Sequence, residues 1–254
     1  MNFIKTENMS VNYDRKTAID SVSFTADKNE YISIIGPNGS GKSTLLKALC
    51  GILKPAGGNV LINGTNISGM KRKELAEIIT YTSQLPPCEF TVEEFVLMSR
   101  YPYYRTFRGI SPNDLNICRK SLEITFTSDF SNRKLSDLSS GERQRVAIAS
   151  ALAQEAKIIL FDEPVTHLDP HFDHEISTLI SSIHSAKGIT VINATHNVNN
   201  AVRYSDRILA LRSGSLVFDK KPSELECSDL DQLYGVEFVT VLTNGNNKRF
   251  LIKT

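Results

Sequence analysis

Gly36-Pro37-Asn38-Gly39-Ser40-Gly41-Lys42-Ser43, followed by Thr44, fits the pattern G-x-x-x-x-G-K-[ST]. A turn this rich in glycine lets backbone N–H groups close around a polyphosphate, and a helix starting directly behind it adds its positive end. In that chemistry Lys42 reaches the β- and γ-phosphates and the Ser43 hydroxyl ligates Mg²⁺. The competing reading, an accidental glycine turn, arises in about one chain in a hundred of this length. A second segment, Ile158-Ile159-Leu160-Phe161-Asp162-Glu163, is an apolar strand ending in two acids. Beside a phosphate loop, Asp162 is suited to the Mg²⁺ shell. Glu163 then sits nearest the γ-phosphate, able to polarise an attacking water. Many buried strands end in an acid. It is the two motifs together that point to a hydrolysing nucleoside triphosphatase.

Such residues need elements to position them. Tyr31-Ile32-Ser33-Ile34-Ile35 is nearly all apolar or β-favouring and predicts a buried strand, with a helix over Lys42 to Leu49. Residues 1–35 read as short strands joined by turns. Val60-Leu61-Ile62 predicts a strand ending in the turn Asn63-Gly64, Met70 to Ile78 a helix, and Ile79 to Thr82 a strand. From about 91 to 126 the spacing is helical, broken by Pro102 and Pro112, as in a helical subdomain inserted between strands. Ser139 followed by Glu142 forms a capping box opening a helix to Gln154. Strands at Lys157–Phe161, Thr190–Ala194 and Arg207–Leu211, separated by helices, imply a largely parallel, buried sheet. Ser213-Gly214 reads as a hairpin turn. The tail from Glu237 to Lys253 reads as a second hairpin around Asn244-Gly245-Asn246-Asn247.

Composition narrows the class. With 254 residues, 41% hydrophobic and 22% charged, the chain is an ordinary globular one. Lys+Arg 29 against Asp+Glu 28 argues against a strongly basic nucleic-acid binder and against a disordered acidic tail. Cys50, Cys88, Cys118 and Cys227 are scattered, without zinc spacing, and are expected as reduced thiols. No apolar run approaches the roughly 20 residues of a membrane span, and the first ten residues are too polar for a secretory signal. Work at a membrane would need spans borrowed from a partner chain.

Leu138-Ser139-Ser140-Gly141-Glu142-Arg143-Gln144-Arg145 discriminates further, with Glu142 standing 20 positions before Asp162. Here the sequence resembles the ATP-binding cassette (ABC) ATPases, whose signature LSGGE or LSGGQ occupies this place. Ser140 departs from the usual glycine, which puts the turnover rate in question rather than the assignment. Other family motifs follow in order. Tyr13 matches the aromatic that stacks on adenine, with a strand tyrosine on a half-buried face as the competing reading. Gln84 matches the loop glutamine that senses Mg²⁺ and the attacking water. Thr166-His167-Leu168-Asp169 matches the loop crossing to a partner cassette, with Val165 in place of a common threonine. His196, 33 positions beyond Glu163, matches the histidine that hydrogen-bonds the γ-phosphate. His167, His171, His174 and His184 show no metal-ligand spacing and read as surface or packing residues.

The resemblance covers about residues 1–235 and implies an α/β P-loop NTPase fold with an N-terminal antiparallel β part. The helical subdomain, about 86–155, would be inserted in it, and 236–254 would form a C-terminal extension. It implies ATP and Mg²⁺ as cofactors. Two cassettes would pair head to tail, each ATP meeting residues 36–44 of one chain and Ser139, Ser140 and Gly141 of the other. A narrower likeness lies in Met98-Ser99-Arg100-Tyr101-Pro102-Tyr103-Tyr104. It is similar to the G-R-Y-P-H-type segment of ATPases serving iron–siderophore, haem and cobalamin importers, near which a helix of the membrane subunit docks. The implied partners are polytopic permease subunits, a second cassette (an identical chain in the first instance) and, indirectly, an extracellular or periplasmic binding protein. The implied place is the cytoplasmic face of the membrane. A soluble non-transport ABC ATPase or a regulatory nucleotide-binding module stays open as an alternative, as do haem, cobalamin or an oxyanion as cargo.

Overall fold

The computed structural model describes residues 3–14, 16–104, 109–165, 169–242 and 249–253. Thr166, His167 and Leu168 and the turn at 244–247 lie outside the described residues. The chain divides into two units, 1–68 with 192–254, and 69–191. The first unit opens with β1 (Ile4–Tyr13), β2 (Lys16–Ala26), β3 (Tyr31–Ile35), α1 (Lys42–Leu49), β4 (Gly57–Ile62) and β5 (Thr65–Asn66). The second holds α2 (Arg72–Ala76), β6 (Ile79–Thr82), α3 (Val92–Met98), α4 (Pro112–Ile124), α5 (Ser140–Ala153), β7 (Ile158–Asp162) and α6 (Pro170–Lys187). The first unit resumes within β8 (Thr190–Ala194) and continues with α7 (Val198–Tyr204), β9 (Arg207–Arg212), β10 (Ser215–Lys220), α8 (Cys227–Tyr234), β11 (Phe238–Leu242) and β12 (Arg249–Lys253).

In the first unit β2, β1, β4 and β5 form an antiparallel sheet. β1 and β2 are not short: they run 10 and 11 residues, and register shifts between Thr6 and Asn12 let them twist without ending. β3 pairs parallel with β9, Ile32 opposite Arg207 and Ile35 opposite Ala210. All five β3 residues are buried, which is why the strand is a continuous apolar run rather than an alternating one. β10 turns back antiparallel on β9 through Ser213 (φ 50°) and Gly214 (φ 84°), the double positive φ of a two-residue hairpin. Ile35, Ile208, Ala210, Val198, Leu230, Leu233 and Leu251 pack into one core. The sequence reading missed α8. Its eight residues offer only two buried leucines three apart, too little to register as a period. The tail strands β11 and β12 pair antiparallel, Phe238 opposite Lys253.

In the second unit β6 and β7 run parallel, Ile79 opposite Ile158 and Thr82 opposite Phe161. α3, α4 and α5 bury Val92, Val96, Cys118, Leu122, Val146 and Ala149 against one another. Each of the three begins with a capping box, at Thr91, Ser111 and Ser139. The helix expected over Met70–Ile78 is shorter: extended backbone at Lys71 (ψ 144°) delays its start, and α2 stops at Ala76, three residues before β6 begins.

Candidate active site

Residues 36–41 of the first unit form a loop, leading into α1 at Lys42, whose shape only glycine permits at two points. Gly36 has φ 151°, and a Cβ there would lie 2.1 Å from the Leu211 carbonyl oxygen. Gly41, at φ 107°, leads into α1, where a Cβ would meet the Ala18 carbonyl oxygen at 2.7 Å. The first turn of α1 has neither a side-chain cap nor an acidic residue, so its amides keep their positive potential. Lys42 is buried, its Nζ donating to the carbonyls of Gly36 at 2.9 Å and Pro37 at 3.3 Å. Ser43 and Thr44 follow, half-buried, and the buried Ser40 hydroxyl has no hydrogen-bond partner among the described residues. A cationic, acid-free loop with an orphaned hydroxyl is built to accept an anion.

Two more predicted residues lie in this unit. Tyr13, at the end of β1, is 47% exposed. His196 is exposed just past β8, where the Thr195 amide donates to Ile34 O at 3.0 Å. Asn197 caps α7 directly after it, accepting from the Asn200 amide at 3.1 Å. Sequence reasoning missed Gly214, whose amide donates to the Ser40 carbonyl at 2.9 Å and steadies the phosphate loop from a distant hairpin. Its only signal was the turn itself.

The second unit carries the other predicted residues. Asp162 ends β7, is 8% exposed, and accepts from the Tyr81 hydroxyl at 2.6 Å. Glu163 follows with φ 52°, a left-handed conformation that is costly for a side chain of this kind and tends to be retained at functional sites. Gln84 is exposed after β6. Ser139 is the N-cap of α5: its hydroxyl accepts from the Glu142 amide at 3.3 Å, and the Glu142 carboxylate accepts the Ser139 amide at 2.7 Å. Burial alone would raise the Glu142 carboxyl, but its bonds to Ser139 together with the Arg133 and Arg143 charges outweigh that and hold it below the usual range. Ser140, the departure from the family pattern, is exposed in the first turn, so its hydroxymethyl group displaces nothing buried. Gly141 is constrained instead: a Cβ there would lie 3.0 Å from the Phe172 ring. Asp169 caps α6, accepting from the amides of His171 at 2.9 Å and Phe172 at 3.1 Å.

The Ser99–Tyr104 segment is mostly turned inward. Arg100 is 3% exposed, bonding Asp114 at 2.9 Å, the Ala153 carbonyl at 2.6 Å and Glu155 at 2.8 Å, and stacking on Tyr103. Tyr103 and Tyr104 donate to the carbonyls of Gln154 and Leu97. Tyr101, 71% exposed, and Met98, 44% exposed, face outward.

Residues 19–166 match the family model described as ABC transporter. The chain belongs to the ABC transporter family. Cassette subunits of its import systems hydrolyse ATP to drive transport, and this chain is an ATPase of that kind. The chain is 33% identical over 98% of its length to the iron(3+)-hydroxamate import ATP-binding protein FhuC of Bacillus subtilis, covering 93% of that protein. It is 33% identical over 94% of its length to the ferric enterobactin transport ATP-binding protein FepC of Escherichia coli, covering 89% of it. A bacterial ABC transporter cassette solved as a dimer superposes with a TM-score of 0.77 at 31% identity, over 86% of this chain and 98% of that one. Cassettes of the family thus pair. Among the described residues no helix is long and apolar enough to cross a membrane.

Proposed function

We propose that this ABC ATPase energises import of a ferric siderophore from the cytoplasmic face of the membrane, as one of two identical cassettes bound to a polytopic permease fed by a binding protein. Its cassette domain spans 1–235 with a helical insertion at about 86–155, and 236–254 form an extension. The observation that supports this cargo is kinship over nearly the whole chain with two import ATPases whose names both carry iron chelates. Haem, cobalamin or an oxyanion would require a different permease, not a different cassette.

In this reading Tyr13 stacks on adenine. The loop amides from Gly36 to Gly41, with Pro37, Asn38, Gly39 and Ser40 shaping the turn, cradle the phosphates, and Lys42 neutralises them. Ser43, Asp162 and, through water, Gln84 offer oxygen donors only, the set that suits Mg²⁺. Mg²⁺, when bound, offsets the charge of the β- and γ-phosphates. Glu163 accepts the proton of the attacking water, and His196 donates to a γ-phosphate oxygen. Ser139, Ser140 and Gly141 present the start of α5 to the nucleotide of the partner cassette, and Asp169 contacts that partner. ATP favours the closed pair and ADP the open one, so turnover becomes a conformational cycle.

The test is affinity purification of the tagged chain from solubilised membranes, followed by ferric-siderophore uptake in cells carrying Lys42→Ala. A stoichiometric permease and abolished uptake are expected. A partnerless soluble ATPase, or normal uptake in the variant, would refute the proposal.

A further inference from the structure

The bond between Tyr81 and Asp162 joins two paired strands. Its origin is simple. In the parallel pair of β6 and β7, Tyr81 stands opposite Leu160. Paired residues share a face of the sheet, as do residues two apart along a strand, so Tyr81, Leu160 and Asp162 lie on one side. Two residues of strand advance by about 6.6 Å, a span that a tyrosine side chain bridges. The hydroxyl therefore reaches the carboxylate, and the 2.6 Å separation is that of a charge-assisted O–H···O⁻ bond. Asp162 is buried at the strand end and Tyr81 is half-buried. A short bond in such a place fixes a carboxylate rotamer more firmly than one exposed to competing water.

We propose that Tyr81 is a positioning residue for Asp162. It holds the carboxylate in the orientation in which it serves Mg²⁺, so that no rotamer freedom is lost when the cation arrives. This rests on the reading of Asp162 as a Mg²⁺ ligand. Tyr81 touches neither nucleotide nor cation in this role. It works as outer partners of metal ligands do, by orienting the donor. Phenylalanine at 81 keeps the ring and removes only the hydroxyl.

The experiment titrates Mg²⁺ against the purified full chain with a fluorescent ADP analogue, with a parallel measurement in EDTA. Tyr81→Phe is expected to bind the analogue in EDTA as wild type does, while its half-saturating Mg²⁺ concentration rises about tenfold. Asp162→Asn is expected to raise that concentration at least as much. Adding Tyr81→Phe to it should change the value by less than about twofold, because the tyrosine acts through the carboxylate. A wild-type Mg²⁺ response in Tyr81→Phe, or full additivity in the double variant, overturns the inference while leaving Asp162 as a ligand. An unchanged Mg²⁺ response in Asp162→Asn overturns both. If Tyr81→Phe does not fold, the wild-type chain labelled with ¹³C at the tyrosine ζ carbon serves instead. The Tyr81 resonance must move when Mg²⁺ joins the ADP complex, and a resonance indifferent to Mg²⁺ overturns the inference.

Discussion

Replacing Arg100 by methionine separates a structural arginine from a docking one. The side chain is 3% exposed and its guanidinium bridges α4 and the end of α5, through Asp114 at 2.9 Å and the Ala153 carbonyl at 2.6 Å. Removing it strands the Asp114 carboxylate, whose side chain is 9% exposed. Breaking a buried pair from one side costs about 3–5 kcal/mol. Asp114 keeps the Ser111 hydroxyl at 2.6 Å and the Ser111 amide at 3.0 Å, which places the loss at the lower end, about 3 kcal/mol. For a chain of this size that lowers the melting temperature by about 6–12 °C. The double variant Arg100→Met/Asp114→Leu leaves no stranded charge and should recover most of the loss. Melting followed by circular dichroism, on the cassette without permease, reads both. Arg100→Met melting within about 2 °C of wild type would refute the reasoning. The pH dependence follows from Asp114. Burial would raise its carboxyl, but the Ser111 and Arg100 bonds outweigh that and hold it below the usual range. A lowered folded value means the contribution is present above the unfolded value near pH 3.9 and is lost as pH falls through the folded one. The advantage of wild type over the double variant should therefore shrink below about pH 4.

Glu163→Gln should keep ATP binding and accumulate an ATP-bound dimer in size-exclusion chromatography, and brisk turnover in that variant would remove Glu163 as the base. Ser140→Gly should preserve or raise the ATPase rate, since Ser140 is exposed and displaces nothing buried, and a collapse of the rate would make the serine a required contact. Phe126→Gly should stabilise the chain by about 0.5–1 kcal/mol, read by urea unfolding. Phe126 is 75% exposed at φ 56°, in the glycine-favouring position of the turn where the Thr127 amide donates to Leu122 O at 2.9 Å. A loss of stability would show that the contact with Arg145 outweighs the backbone cost.

What could be read directly from the chain is what neighbouring residues decide. The loop from Gly36 to Ser43, the start of α5 at Ser139 and the strand at Ile79–Thr82 were legible because each depends on a few contiguous residues. Glycine dihedrals, a reciprocal cap and an apolar run are local physics. The motifs also carried the order of the candidate site residues, because loops at strand ends hold the chemistry. Tertiary structure decided which of these residues are held, and by what. Gly214 supports Ser40 across most of the chain length, Arg100 joins Asp114 and Ala153, and Tyr81 reaches Asp162 only because β6 and β7 pair in one particular register. It also showed that Arg100 serves the interior while Tyr101 beside it faces out. No periodicity in the sequence encodes such pairings. They arise when distant segments pack, and burial then makes a polar group find a partner or bear the cost of having none.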